Sequence, residues 1–146
     1  HQQLMGLAAI QLLLESPCVS DYYFIKSLLF ANINLPEDQY LIFKKVFELI
    51  TDKLPAPDLI VYLQRPVALL KQSIVKRGRA YEIDITAAYL ATIQNAYLTY
   101  FKTLKNQQVL LLNIGELDFE NKKEDYKKIS SLINKSYPMG ITELNL

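Results

Sequence analysis

The sequence predicts a helix-rich α/β fold with a small parallel sheet, and three observations carry that reading. Two runs, Asp58–Gln64 and Val109–Ile114, are apolar at nearly every position, as in parallel strands buried on both faces. Each is followed by apolar residues at helical spacing, over 66–77 and 121–135. A long helical pattern at 85–105 separates the two runs, as a parallel crossover requires. The 146 residues are one domain's worth, taken as a single unit over 1–146. Two central strands and a short third at 15–19 make a thin sheet. The expectation is therefore that N-terminal strands are missing, and that a chain opening on His1 rather than methionine starts partway into a longer protein.

Composition narrows the function classes. The formal net charge is +1, so no bulk attraction to nucleic acid or anionic membrane is expected, and anion binding must come from local clusters. The one cysteine, Cys18, excludes an internal disulfide framework and fits a reducing compartment, the cytoplasm. No apolar run reaches the roughly 18 residues of a membrane-spanning helix. The start, His1-Gln2-Gln3-Leu4, lacks the basic region of a signal peptide.

Taken in order, residues 1–13 are apolar nearly all round and read as a buried helix. Glu15 to Val19 is a short extended segment limited by Pro17. Ser20-Asp21 can cap a helix running to about Asn32. Pro36-Glu37-Asp38 starts another, whose stripe is Tyr40, Ile42, Phe43, Val46, Phe47 and Ile50. Pro55 and Pro57 stiffen the entry to the first long strand. After helix 66–77, Ile85-Thr86 opens the long helix, with Ala88, Leu90, Ile93, Ala96, Tyr97, Tyr100 and Phe101 inward. Asn106-Gln107-Gln108 turns into the second strand. Asn121 is a candidate cap for the last helix, whose stripe is Tyr126, Ile129, Leu132 and Ile133 and whose lysines read as a solvated face.

The chemistry concentrates in Lys76-Arg77-Gly78-Arg79-Ala80-Tyr81-Glu82, which holds three cations, a glycine and a carboxylate in seven residues. Two readings stand. Cations and a glycine at a helix end complement the dipole and supply a left-handed cap. The same cations, on a segment loosened by glycine, suit a lid over phosphate, because phosphoryl transfer needs positive groups against charged oxygens. Taken alone, Asp21 reads as a helix cap and Phe119 as a core aromatic. His1 stands alone, with no partner pattern for metal or catalysis.

Four segments in order bring a resemblance. Pro57-Asp58-Leu59-Ile60-Val61-Tyr62-Leu63, the Arg77-Gly78-Arg79…Glu82 segment followed by Tyr89-Leu90, Ser20-Asp21-Tyr22-Tyr23-Phe24, and Val109 to Phe119 together resemble the deoxynucleoside kinase family over about residues 1–135. The resemblance implies a partial P-loop kinase fold with a lid at about 76–84. It implies ATP and Mg2+ as cofactors, a deoxynucleoside as substrate, and a homodimer. Arg77 and Arg79 would face the ATP phosphates, where the planar guanidinium makes bidentate contacts. Glu82 would accept a hydrogen bond from the sugar hydroxyl, and Asp21 would help read the base. Asp118 and Phe119 would lie near the adenine. The bacterial branch nearest in pattern includes kinases fused behind a pterin pyrophosphokinase of folate synthesis.

The departures matter as much. The family's E-R-S motif falls on Glu15-Ser16-Pro17, without its arginine, and Tyr22 replaces the arginine after the Ser-Asp pair. None of the four glycines precedes a lysine, so these residues contain no glycine-rich phosphate loop. The family's general-base carboxylate would lie upstream of His1. The expectation is that this chain alone is inactive and that the intact protein is the kinase. The alternative is a non-catalytic dimerisation or interaction domain derived from a kinase fold.

Overall fold

Val109, Leu110 and Leu112 are fully buried, and the best-packed part of the fold is built around them. The structure, a computed structural model, describes residues 19–146 apart from Tyr22 and Lys53. The expected helix over 1–13, the segment from Glu15 to Cys18 and Tyr22 lie outside the described residues. Two compact units divide the chain, His1–Pro57 and Asp58–Leu146.

In the first unit, α1 spans Ile25–Asn34 and α2 spans Glu37–Thr51. α1 buries Ile25 and Leu29, one helical turn apart, and the Phe24 and Phe47 rings stack with centroids 5.2 Å apart. Pro36 is the residue before α2, and Glu37 and Asp38 fill its first turn against the dipole. Two expectations need correcting. Ser20-Asp21 does not cap α1, because the helix starts at Ile25 with Phe24 already in helical conformation. The expected inward stripe of α2 buries only Phe47; Ile42 remains 66% exposed and Val46 51%.

The second unit is a three-stranded parallel sheet in the order β1-β2-β3. β1 is Leu59–Gln64, β2 is Gln108–Asn113 and β3 is Gly140–Asn145. Leu59 pairs with Gln108 and Gln108 with Gly140, and both registers run six residues. α3 (Val67–Arg77) and α4 (Ala87–Thr103) connect β1 to β2, and α5 (Lys123–Ile133) connects β2 to β3. Successive β2 side chains alternate between the faces. Val109 and Leu111 pack with Ile60 and with Phe101 of α4; Leu110 and Leu112 pack with Ile114 and with Ile129 of α5. This is the predicted α/β architecture, helix-rich with a small parallel sheet.

Here too the structure refines the reading. β2 is the central strand, whereas β1 is an edge among the described strands and buries only Ile60 completely. β3 was not expected. Only alternate side chains along it are partly buried, so it lacks the continuous apolar run that marks β2. Ala88 is exposed, because α4 turns its Tyr97–Phe101 end to the sheet. Asn121 does not cap α5; Lys122 stands at that position. Tyr126 is 61% exposed and Ile133 38%, because α5 packs through Ile129 and Leu132 instead.

Candidate active site

The 76–84 segment is built by a helix stop. Gly78 closes α3 in the left-handed conformation, φ 68° and ψ 23°, and its N–H reaches the Ile74 and Val75 carbonyls at 3.2 and 3.1 Å. The helix-cap reading of these residues is therefore correct as local structure. The chain then turns through a single 3-10 turn at Ala80–Glu82 before Thr86 starts α4. The Thr86 hydroxyl accepts from the Tyr89 N–H at 3.1 Å, a side-chain cap that fixes the far end of the segment.

That turn brings three of the expected residues together. Arg77 Nη1 lies 3.4 Å from Glu82 Oε2, and Arg79 Nη1 lies 3.2 Å from Glu82 Oε1. Glu82 is the covered member, 13% exposed, while both arginines are 52% exposed. One carboxylate thus holds two guanidinium groups through separate oxygens. The hydrogen bond to Glu82 raises the pKa of Arg79 further, with a smaller contribution from Tyr81, so its charge is permanent. Exposed ion pairs of this kind contribute little to stability. What the arrangement supplies is two solvent-facing guanidinium groups beside a mostly covered acceptor.

Lysine 71 fastens the segment to α3. Its ammonium donates to the Ile83 carbonyl at 2.9 Å and also to the Ile85 carbonyl. A hollow lined by Tyr81, Asp84, Ile85, Thr86 and Tyr89 lies on the α4 side of the turn.

The other expected residues belong to other segments. Asp21 is exposed, in a bend of the first unit before α1. Asp118 follows β2 and organises the loop into α5: its carboxylate accepts from the Asn121 side-chain amide at 2.8 Å, and its own N–H donates to Asp125 Oδ2 at 3.0 Å. Phe119 is partly buried against the Leu110, Leu112, Ile114 and Ile129 cluster, so packing accounts for much of its surface.

Sequence reasoning passed over three residues that matter here: Arg65, Lys71 and the buried Asp125. Arg65 follows β1 directly. Its Nε donates to the Gly115 carbonyl at 3.0 Å and its Nη1 to the Ser73 hydroxyl at 3.3 Å, while its own carbonyl accepts from Gln94 Nε2 at 2.6 Å. The available signal was its place at the carboxyl end of a buried strand, where ligands of open α/β sheets bind. Among the described residues no cluster of three histidine, cysteine or acidic side chains is placed to hold a metal ion. No helix among them is long and apolar enough to cross a membrane.

The chain is 32% identical over 119 residues to "Deoxyguanosine kinase" of Bacillus subtilis (strain 168), covering 79% of this chain and 58% of that protein. It is 36% identical over 86 residues to "NADH dehydrogenase [ubiquinone] 1 alpha subcomplex subunit 10, mitochondrial" of Bos taurus, covering 58% of this chain and 24% of that protein. The chain therefore spans little more than half the length of the first relative and a quarter of the second. The family model described as "Deoxynucleoside kinase" matches residues 3–137, a span that takes in Arg77, Arg79, Glu82 and the whole α4–β2 core. With so continuous a match, the chain belongs to the deoxynucleoside kinase family.

Proposed function

We propose that the intact protein bearing this chain transfers the γ-phosphoryl group of ATP, with magnesium, to the 5′-hydroxyl of a deoxynucleoside. The observation that carries this reading is the pairing of Arg77 and Arg79 with the covered Glu82. Two permanent cations on a glycine-stopped turn suit the oxygens that gain charge in phosphoryl transfer. Glu82 suits the sugar hydroxyl, and the arginines would leave it as phosphate arrives. Asp21 would read the base edge, and Asp118 and Phe119 would mark the adenine end. The two units would belong to one kinase domain, in a cytoplasmic homodimer. The 146 residues alone contain no phosphate loop and are expected to phosphorylate nothing.

The test is turnover of deoxyguanosine and the other deoxynucleosides by the full-length protein and its Arg79→Ala variant. Losing one transition-state donor is expected to lower kcat by about 10²–10³-fold. The melting temperature should change little, since Arg79 is half-exposed and Arg77 still pairs with Glu82. Equal turnover by variant and wild type would sink the assignment of Arg79.

A second reading, a non-catalytic domain that dimerises or binds another protein, is favoured by one observation. A relative matching 58% of this chain bears the name of an NADH dehydrogenase subunit, not of a kinase. Full-length protein that self-associates but gives no heat with ATP in calorimetry would favour it.

A further inference from the structure

The sequence contains only three arginines, Arg65, Arg77 and Arg79. Two of them are the lid cations. The third bridges the two segments on which the proposed ATP site depends. Its Nε is bonded to Gly115, the residue that opens the loop to Asp118 and Phe119. Its Nη1 is bonded to Ser73 on α3. Ser73 precedes Arg77 by four residues, so Arg65 is fastened to the same face of α3 that carries Arg77, one turn away.

Among the described residues no acid pairs with the charge on Arg65. The ion pairs within the described residues are Lys44–Glu48, Arg77–Glu82 and Arg79–Glu82, and Arg65 is in none of them. Both of its bonds go to neutral oxygens, one carbonyl and one hydroxyl. A guanidinium carries five N–H donors, so three remain beyond these two bonds. A half-buried cation held by neutral acceptors, at the carboxyl end of a parallel strand, is arranged for an anion that comes from outside the chain.

We propose that Arg65 is a phosphate-binding residue that holds the polyphosphate of the nucleotide between the 115–119 loop and the lid. This rests on the kinase reading above. Gly115 and Ser73 would act as its positioning partners, fixing the plane of the guanidinium before the nucleotide arrives. Arg77 and Arg79 are exposed, and each bonds Glu82 through Nη1. Arg65 is already bonded in place and would hold phosphate in the ground state. Its loss should therefore fall on affinity and KM, where loss of Arg79 falls on kcat.

The experiment measures binding of ATP, inorganic tripolyphosphate and deoxyguanosine by calorimetry, using the full-length protein and its Arg65→Ala and Arg65→Gln variants. A charge-assisted contact of this kind is expected to cost about tenfold or more in affinity for ATP and tripolyphosphate. Affinity for deoxyguanosine should move by less than about twofold. Arg65→Gln keeps an amide donor without the charge and decides the matter if the alanine variant does not fold. A loss of phosphate affinity below about fivefold in a folded variant overturns the proposal. So does an equal loss for ATP and deoxyguanosine, the mark of a brace between β1, α3 and the loop. Wild-type protein that binds neither ATP nor tripolyphosphate overturns the kinase reading and this inference together. Wild-type binding that survives in the variants overturns this inference alone.

Discussion

Gly78 sets the local structure on which the proposed lid would rest. Its left-handed backbone ends α3, and that end places Arg77 on one side of the stop and Arg79 on the other. A methyl group there would meet nothing within 4 Å, so the cost of Gly78→Ala is torsional alone. We expect a loss of about 1 kcal/mol, read as a drop of a few degrees in melting temperature. A variant that melts with the wild type would show that the positive φ is not maintained in solution. The helix stop was legible in the sequence, because Lys-Arg-Gly-Arg satisfies the helix-end pattern; the same residues also fit the proposed cationic lid. Arg65 was not legible: it is 50 residues from Gly115, and no local pattern records a bond of that separation.

At the scale of elements, the entry to α5 was misread for a physical reason. Asn121 fits the composition of a cap, but the helix rotates Asp125 and Ile129, four residues apart, toward the interior. Asp125 then accepts the N–H of Asp118 from within the first turn, and Asn121 becomes a donor to Asp118 instead. Asp125→Ala is expected to leave that N–H without its partner. The expected loss is about 1–3 kcal/mol, measurable by denaturant unfolding. Faster amide exchange over residues 117–122 should accompany it. A loss confined to a few tenths of a kcal/mol would mean that the loop does not depend on this bond. Alternation in β3 and exposure along α2 escaped the sequence reading likewise. Periodicity reports which residues share a face, not which face meets a neighbour.

At the scale of the molecule, the sheet and α4 enclose an aromatic cluster that sets an alkaline limit on stability. The Tyr62 ring stacks on Tyr97 at 5.2 Å and meets Phe101 edge-on at 5.4 Å. Burial, with a smaller contribution from Tyr97, pushes the Tyr62 phenol up to about 12. Tyr97 is raised by burial as well. An unfolded tyrosine titrates near 10. The folded state therefore keeps the Tyr62 proton over a range where the unfolded state releases it. This contribution is complete below about pH 10 and is lost as pH rises through about 12. Tyr62→Phe should flatten the decline in stability between those values, measured by urea unfolding from pH 9 to 12. Parallel declines in both proteins would place the titration elsewhere.

By itself the sequence determined the α/β class, the two apolar strands, the glycine stop after α3 and the family, because each is written in neighbouring residues through hydrophobic period, backbone freedom or motif spacing. Only the tertiary structure decided that β2 is central, that β3 completes the described sheet, that Glu82 holds both Arg77 and Arg79, and that Arg65 joins α3 to the loop after β2. Those are matters of which face packs where and which side chains meet across the fold. They follow from burying the whole set of apolar faces at once, a constraint no single segment carries.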